Sequence, residues 1–302
     1  MNRQLAKIIL DSISPALVRL TTLEVQIPRI VLAEWNTHRV LSRNSASSRA
    51  IPIEKMIARV REDPYIPEEW GRNGRGMQAH GVLDANAAGA SLGEWLLARD
   101  QMVERAEAML KHGGHKQIIN RLLEPFAWHT IIVTATEWDN FDHLRRNAAA
   151  HPAIQAVAAA MYAEMQASTP GLLREWEWHT PYIDPERDAG MSDVERIRVS
   201  CARCARVSYL THDGLRDVGA DLDLYWKLLD PGHMSPFEHA ARPLTQQDVA
   251  NRLLSYSGVK DIDASEIDVT QHFAGNFRGW HQHRKDIPGE ADIIGYRQAA
   301  GS

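Results

Sequence analysis

THRVLSRNSASSR, residues 37–49, packs three arginines, one histidine, four serines and one asparagine into 13 positions. It follows directly on residues 18–33, which are rich in Ile, Leu and Val with partial alternation and read as a strand. The segment itself has no periodic apolar face, so it reads as a loop or a polar helix start. Donors at this density are costly to bury unless something accepts their hydrogen bonds. A phosphate or pyrophosphate does so well, because hydroxyls and backbone N–H groups cradle it and guanidinium forks bind its oxygens in pairs. A solvated polar loop is the competing reading, and such loops are common.

Outward from this segment, residues 5–10 and the β-branched run 130–136 read as further strands. Leu92, Trp95, Leu96, Met102, Ala106, Met109 and Leu110 follow helical spacing, with Gly113-Gly114 as the stop. A short helix carries Ile118, Ile119, Leu122 and Leu123, and Asp139 is placed to cap another that presents Phe141 and Leu144. Pro152 suits the first turn of a helix bearing Ile154, Val157, Met161 and Met165. Residues 193–209 and 219–229 look helical, and the tail 243–284 is mixed, with turns at Gly258, Gly275 and Gly279. The charged, Gly-containing stretch 61–76 opens an exposed excursion over about residues 61–90, and 167–192 reads as a connecting loop. Strands interspersed with long helices, lacking a regular βαβ beat, favour an α+β class in a single domain over residues 1–302. No G-x-G-x-x-G follows a strand, which argues against a dinucleotide site of the doubly wound type.

The chain has 302 residues, 44% apolar and 24% charged, with a net charge of -5. That charge opposes sequence-independent nucleic-acid binding, yet a small anion needs only a few local arginines. Cys201 and Cys204 are the two cysteines, so there is no disulfide framework and no complete zinc site. They sit one helical turn apart among Ile197, Val199, Ala202, Ala205 and Val207 and read as half-buried, inert thiols. No apolar run reaches the length of a membrane span and no secretory signal is evident, so a cytoplasmic protein with no membrane partner is expected.

Two further segments bear chemistry. In GHMSPFEH, residues 232–239, a carboxylate lies between His233 and His239. A plain helix start also explains it, with Ser235 as cap, Pro236 first and Glu238 third, and metal binding lacks further ligands at a recognised spacing. Arg121 and Arg145 flank the 130–136 strand on separate helices and are placed to converge on one anion or a carbonyl-bearing ring, or to pair at the surface. His281 and His283, beside Trp280, suggest a strand or a ligand-facing edge rather than a metal site.

Together these segments resemble the flavin-dependent thymidylate synthases, the ThyX family, whose signature R-H-R-x-x-S-x-N-E-x-S-x-R follows a strand. Here that spacing runs through Thr37, His38, Arg39, Ser42, Asn44, Ser45, Ser47 and Arg49. The family's H-x-[ST]-[PV]-F-E-H segment is matched by His233, Ser235, Pro236, Phe237, Glu238 and His239. Arg121 with Pro125, Thr134 with Thr136, and Asn140-Phe141 with Leu144-Arg145 take the places of its later helix, strand end and helix. The order is unusual: the F-E-H segment and the Cys-containing helix from Ala202 to Tyr209, which precede the signature in most of the family, come last here. The resemblance therefore implies a circular permutation, and the arrangement resembles the longer ThyX-like proteins of phages and some bacteria.

The resemblance implies a ThyX-like antiparallel sheet flanked by long helices, and a homotetramer with FAD bound between subunits. NADPH and methylenetetrahydrofolate would be co-substrates, dUMP would be the nucleotide and dTMP the product, with no metal. Ser47, Ser48, Arg49 and Arg121 would hold the nucleotide, with Glu34 near it, and Arg145 would bind the pyrimidine and act catalytically. Thr37, His38, Arg39, Ser45, Thr136, Trp138, Asn140, Ser235 and Glu238 would line the cofactor. Several positions depart from the family: Thr37 for Arg, Ser45 for Glu, Glu34 for Gln, and Thr136 and Trp138 for Asn and Arg. Asn276, Trp280, His283 and Arg284 are candidates to replace the missing contacts. The same departures motivate an alternative, a UMP or dUMP methylase or hydroxymethylase, and a third reading from another class, a non-catalytic nucleotide-binding protein.

Overall fold

Ile131, Ile132 and Val133 are successive residues at 0% exposure, which a strand permits only when both of its faces are covered. They lie in β4 (Trp128–Ala135). The structure is a computed structural model that describes residues 3–207, 217–257 and 262–290. β4 runs between β2 (Arg19–Pro28) and the short β3 (Ser42–Ser45), and β1 (Ala6–Ile13) and β5 (Gly171–Leu172) extend the sheet in the order β3-β4-β2-β1-β5. The pairings are antiparallel except β1 with β5. On one face Leu23, Val25, Ile131 and Val133 pack against Ile154, Val157 and Met161 of α6 (Pro152–Ala167), together with Trp35 and Phe141. On the other face Ile132 meets Cys204 and Val207, in and just beyond α7 (Asp193–Arg206).

The sequence reading of 18–33 as one strand is too long. Pro28, which has no N–H to extend the ladder, ends β2, and a 3-10 turn over Arg29–Val31 followed by α1 (Leu32–Asn36) takes the residues after it. The reading of residues 38–49 as a loop misses β3, whose Ser-Arg-Asn-Ser pairs with β4 from Ser42↔Thr134 to Ser45↔Ile131. A second core joins α2 (Ile53–Glu62), α3 (Ala85–Lys111) and α4 (Lys116–Leu123) through Met56, Val60, Val103, Ala106, Ile119 and Leu123. Gly113, at φ 79°, ends α3 as expected, its N–H reaching Leu110 O and that of Gly114 reaching Met109 O. Asp139 is not the cap of α5 (Asp139–Arg145). Trp138 occupies that position without a side-chain capping bond, and Asp139 sits in the first turn, where a carboxylate faces the positive end of the helix.

α7 and α8 (Val218–Leu229) form a third core with Tyr225 and Phe237. The expected helix end at Ser208 and Tyr209, and the turn at Gly258, lie outside the described residues. The tail builds a second sheet from β6 (Ala241–Pro243), β7 (Phe273–Ala274), β8 (Phe277–Arg278) and β9 (Trp280–Gln282), ordered β6-β9-β7-β8, with α9 (Gln246–Ser257) between β6 and β7. The fold is therefore α+β as read, but with two mixed sheets in place of one antiparallel sheet. Among the described residues, no helix is long and apolar enough to cross a membrane.

α7 is held by an ionic cluster. The buried Arg203 guanidinium donates to Asp188 Oδ1 (2.9 Å), Asp221 Oδ2 (3.0 Å) and Tyr182 O (2.9 Å), while Arg206 reaches Asp221 Oδ1 (2.7 Å). Removing one member leaves buried charge uncompensated, so Arg203→Ala is expected to lower unfolding free energy by about 3 kcal/mol in urea titrations. An unchanged midpoint would contradict this. Cys201 and Cys204 are wholly rather than half buried, and burial pushes both thiols up, in keeping with inert side chains.

Candidate functional site

β3 and its flanking turns place residues 44–50 along one wall of a cavity of about 420 Å³. Asn44, Ser45, Ser47 and Arg49 lie on that wall, His233, Ser235 and Pro236 oppose them, and Ala205 and Leu228 close the back. Asn44 ties the walls together: its Nδ2 donates to Cys204 O (3.0 Å) and its Oδ1 accepts from Ser235 Oγ (3.2 Å). Ser235 is thus the first residue of a 3-10 turn, Ser235–Glu238, and not its cap, because its hydroxyl is spent on β3. The described lining residues offer hydroxyls, an amide, an imidazole and a guanidinium, and no carboxylate.

Alternation separates the serines of the loop. Ser47 Oγ accepts the Arg49 N–H (3.3 Å), and Arg49 is exposed at the rim. Ser48 is buried and lines a different cavity, of about 240 Å³, beside Arg29 and Trp128. Its carbonyl, and that of Ile51, accept from Asn120 Nδ2 at 2.7 and 2.9 Å. Asn120, fully buried on α4, therefore fixes the turn that follows the polar segment.

Arg145, in the last turn of α5, reaches back to the start of the segment. Its Nε donates to His38 Nε2 (2.7 Å), and its Nη2 donates to Glu34 O (3.1 Å) and Thr37 Oγ1 (2.9 Å). The His38 ring proton therefore sits on Nδ1. Burial, with Arg145 and Arg43 alongside, holds the His38 pKa below its usual value and keeps the ring neutral. Phe141 packs edge-on to it at 4.9 Å, and Arg43 Nη1 closes the loop through the carbonyls of His38 (3.1 Å) and Leu41 (2.9 Å). Arg39 and Asn140 are exposed. Glu34 Oε2 is buried without a hydrogen-bond partner.

The chain matches the family described as thymidylate synthase complementing protein over residues 14–171, just over half its length. The protein belongs to that family. No curated protein matches the chain. Among solved structures it is similar to the UMP/dUMP methylase PolB from Streptomyces cacaoi, crystallised with 5-Br UMP. The identity is 14% and the TM-score 0.42, with 54% of this chain and 92% of that chain covered.

The family match contains β2, the 37–49 segment, α4, β4 and α5, and ends before the cavity's opposing wall at residues 233–236. The structure thus brings together, around one cavity, two segments separated by nearly 200 residues. It does not bring Arg121 to Arg145. Arg121 pairs with Glu124 Oε1 (2.8 Å) on the side of Arg29, half exposed and outside the cavity lining. Thr136 Oγ1 accepts from the Arg278 N–H (3.1 Å), and Trp138 packs on the main core with its Nε1 on Ala135 O (3.1 Å). Trp280 is a core residue, wholly buried with its Nε1 on Val18 O (3.1 Å). His283 meets Tyr225 and Asp286, and Arg284 pairs with Glu238 and Glu290. Sequence reasoning missed Asn120 and Gln282. The close spacing of Gly275 and Gly279 around polar amides was the available signal for the latter.

Proposed function

We propose that this member of the family transfers a one-carbon unit from methylenetetrahydrofolate to the pyrimidine of dUMP and reduces it, giving dTMP, with FAD bound and NADPH as reductant. The observation that carries this reading is the carboxylate-free, donor-rich cavity, on a chain whose net charge is -5. A phosphate-bearing ligand is what Ser45, Ser47, Ser235 and the Arg49 guanidinium suit chemically. The same donor set fits the pyrophosphate of FAD, with His38, Arg39 and Asn140 as further contacts and Glu238 beyond. A reduced flavin, when bound, supplies the hydride that turns a methylene into a methyl. Cys201 and Cys204 are too buried to serve as nucleophiles in that chemistry.

In this reading residues 1–302 act as one catalytic unit with permuted segment order. Arg49 and Ser47 bind the nucleotide phosphate. Arg145 offers the Nη1 hydrogens its protein partners leave over to a pyrimidine carbonyl, stabilising negative charge as the ring becomes nucleophilic. Glu34, whose Oε2 has no donor within the protein, takes an N–H or O–H of the nucleotide. Arg121, turned away from its own chain's cavity, serves a neighbouring copy in a homotetramer.

A second reading is favoured by the work the departing residues do inside the protein. Thr37 holds Arg145, Thr136 holds Arg278 and Trp138 packs in the core, so fewer groups remain for flavin and nucleotide. Such a site suits a UMP or dUMP methylase or hydroxymethylase. Colour and FAD titration of the purified protein separate either catalytic reading from a binding protein: bound flavin with NADPH oxidation supports catalysis, whereas nucleotide binding without flavin leaves a binding protein. Arg49→Ala is expected to raise the dUMP dissociation constant roughly tenfold or more with little change in kcat, since a phosphate fork contributes uniform binding. A wild-type dissociation constant in that variant removes Arg49 from the site.

A further inference from the structure

Gln282, at the end of β9, is 1% exposed, and its side-chain amide is fully engaged. Oε1 accepts the backbone N–H of Asn276 (3.1 Å), and Nε2 donates to the backbone carbonyl of Glu238 (2.9 Å). One partner is an obligatory donor and the other an obligatory acceptor, so the orientation of the amide is fixed by chemistry. The remaining Nε2 hydrogen goes to Ser42 Oγ at 2.9 Å, where Asn276 Nδ2 also donates at 3.0 Å. Ser42 is the first residue of β3 and is itself 1% exposed. Arg284 adds an ion pair to the Glu238 carboxylate. The tail thus grips both walls of the cavity from behind, one at Ser42 and the other at Glu238.

Gly275 shows that the backbone is shaped around this amide. It has φ 76°, and a Cβ built there would lie 1.6 Å from Gln282 Oε1. Any side chain at 275 expels the Gln282 amide, which the left-handed glycine otherwise lets approach.

We propose that Gln282, with Asn276 and Gly275, is a positioning clasp that sets the 42–49 segment against the 235–238 turn, and so sets the affinity of the cavity between them. The proposal rests on that cavity holding the flavin and nucleotide. These residues lie beyond the family match at 14–171, so the clasp belongs to this chain's tail. None touches a ligand; each acts through Ser42 and Glu238.

Gln282→Leu and Gly275→Ala in the full chain test it, beside Val157→Ala, which thins the α6 core on the opposite face of the five-stranded sheet. Amide hydrogen exchange over residues 42–49 and 235–239 is read together with FAD and dUMP dissociation constants. Both clasp variants are expected to exchange about tenfold faster in these two segments and to bind both ligands about tenfold more weakly, as the loss of buried hydrogen bonds implies. Val157→Ala is expected to do neither at a comparable loss of Tm. Wild-type exchange in the clasp variants overturns the proposal, as does faster exchange with unchanged affinities, or an equal response in Val157→Ala. If wild-type protein binds neither FAD nor dUMP, the functional reading falls, and exchange alone decides whether the clasp sets the two segments.

Discussion

Arg145→Ala is expected to lower kcat by about 10²–10³ or more while FAD remains bound. The guanidinium is aimed before any ligand arrives. Nε is held by neutral His38, and Nη2 by the Glu34 carbonyl and the Thr37 hydroxyl. In the proposed reading the Nη1 pair, left over by these contacts, meets the carbonyl on which charge develops, and a preset donor spends no reorganisation at the moment of reaction. Lysine is not expected to rescue, because an ammonium cannot meet His38, Glu34 and Thr37 in one plane and still present a donor pair. Stopped-flow reduction and single-turnover methyl transfer separate the two roles. Normal flavin reduction with lost transfer is the expected pattern, and transfer near the wild-type rate would remove Arg145 from the chemistry.

Acid is expected to unfold the protein steeply. His129, His179 and His239 are buried, and burial pulls each pKa down to about 3, with Arg29 adding to the effect on His129. A depressed histidine is neutral when folded and takes up its proton only on unfolding. Its contribution is therefore complete above pH ~6.5 and is lost as pH falls from there toward 3. Each group changes stability by about 1.4 kcal/mol per pH unit in that window, so three together give a slope near 4 kcal/mol per unit. A margin typical of folded domains, ~5–15 kcal/mol, disappears within a few pH units. Two of the three lie in a buried chain of hydrogen bonds, Ser12–His179–Thr22–Thr134–His239, with links of 2.7 to 2.8 Å. Urea titrations at pH 7, 6 and 5 read the slope, and His179→Gln is expected to make it about one third shallower. Stability independent of pH over that range would contradict the account.

The sequence told most where local pattern and buried face coincide. The run Ile131-Ile132-Val133 and the helical spacing of Ile154, Val157 and Met161 were legible because each residue's own packing partner follows from periodicity. β3 was hidden because Ser-Arg-Asn-Ser has no strand pattern of its own, and β4 supplies the ladder that makes it one. β6 to β9 are two or three residues each, below the length at which alternation can be read. For the candidate site, the residue types of the 37–49 segment point to an anion, and the resemblance singles out Arg145 and Ser235; Ser235 lines the cavity, whereas Arg145 lies outside its lining, on His38, Glu34 and Thr37. What holds the segment in place stayed hidden. Asn120 and Gln282 reach Ser48 and Ser42 across 72 and 240 positions, and no local pattern encodes such a contact. The conflict between Thr136 or Trp138 and the family pattern becomes intelligible only in the fold, where each has an internal partner.

The most direct test of the central claim is the mass of the nucleotide recovered after the protein is incubated anaerobically with FAD, NADPH, methylenetetrahydrofolate and either dUMP or UMP. dUMP is expected to be converted to a product heavier by CH2, with UMP unchanged. A product from UMP, or a gain of CH2O, would establish the methylase or hydroxymethylase reading instead. Recovery of both nucleotides unaltered, from protein that binds dUMP, would contradict the claim that this cavity performs one-carbon transfer.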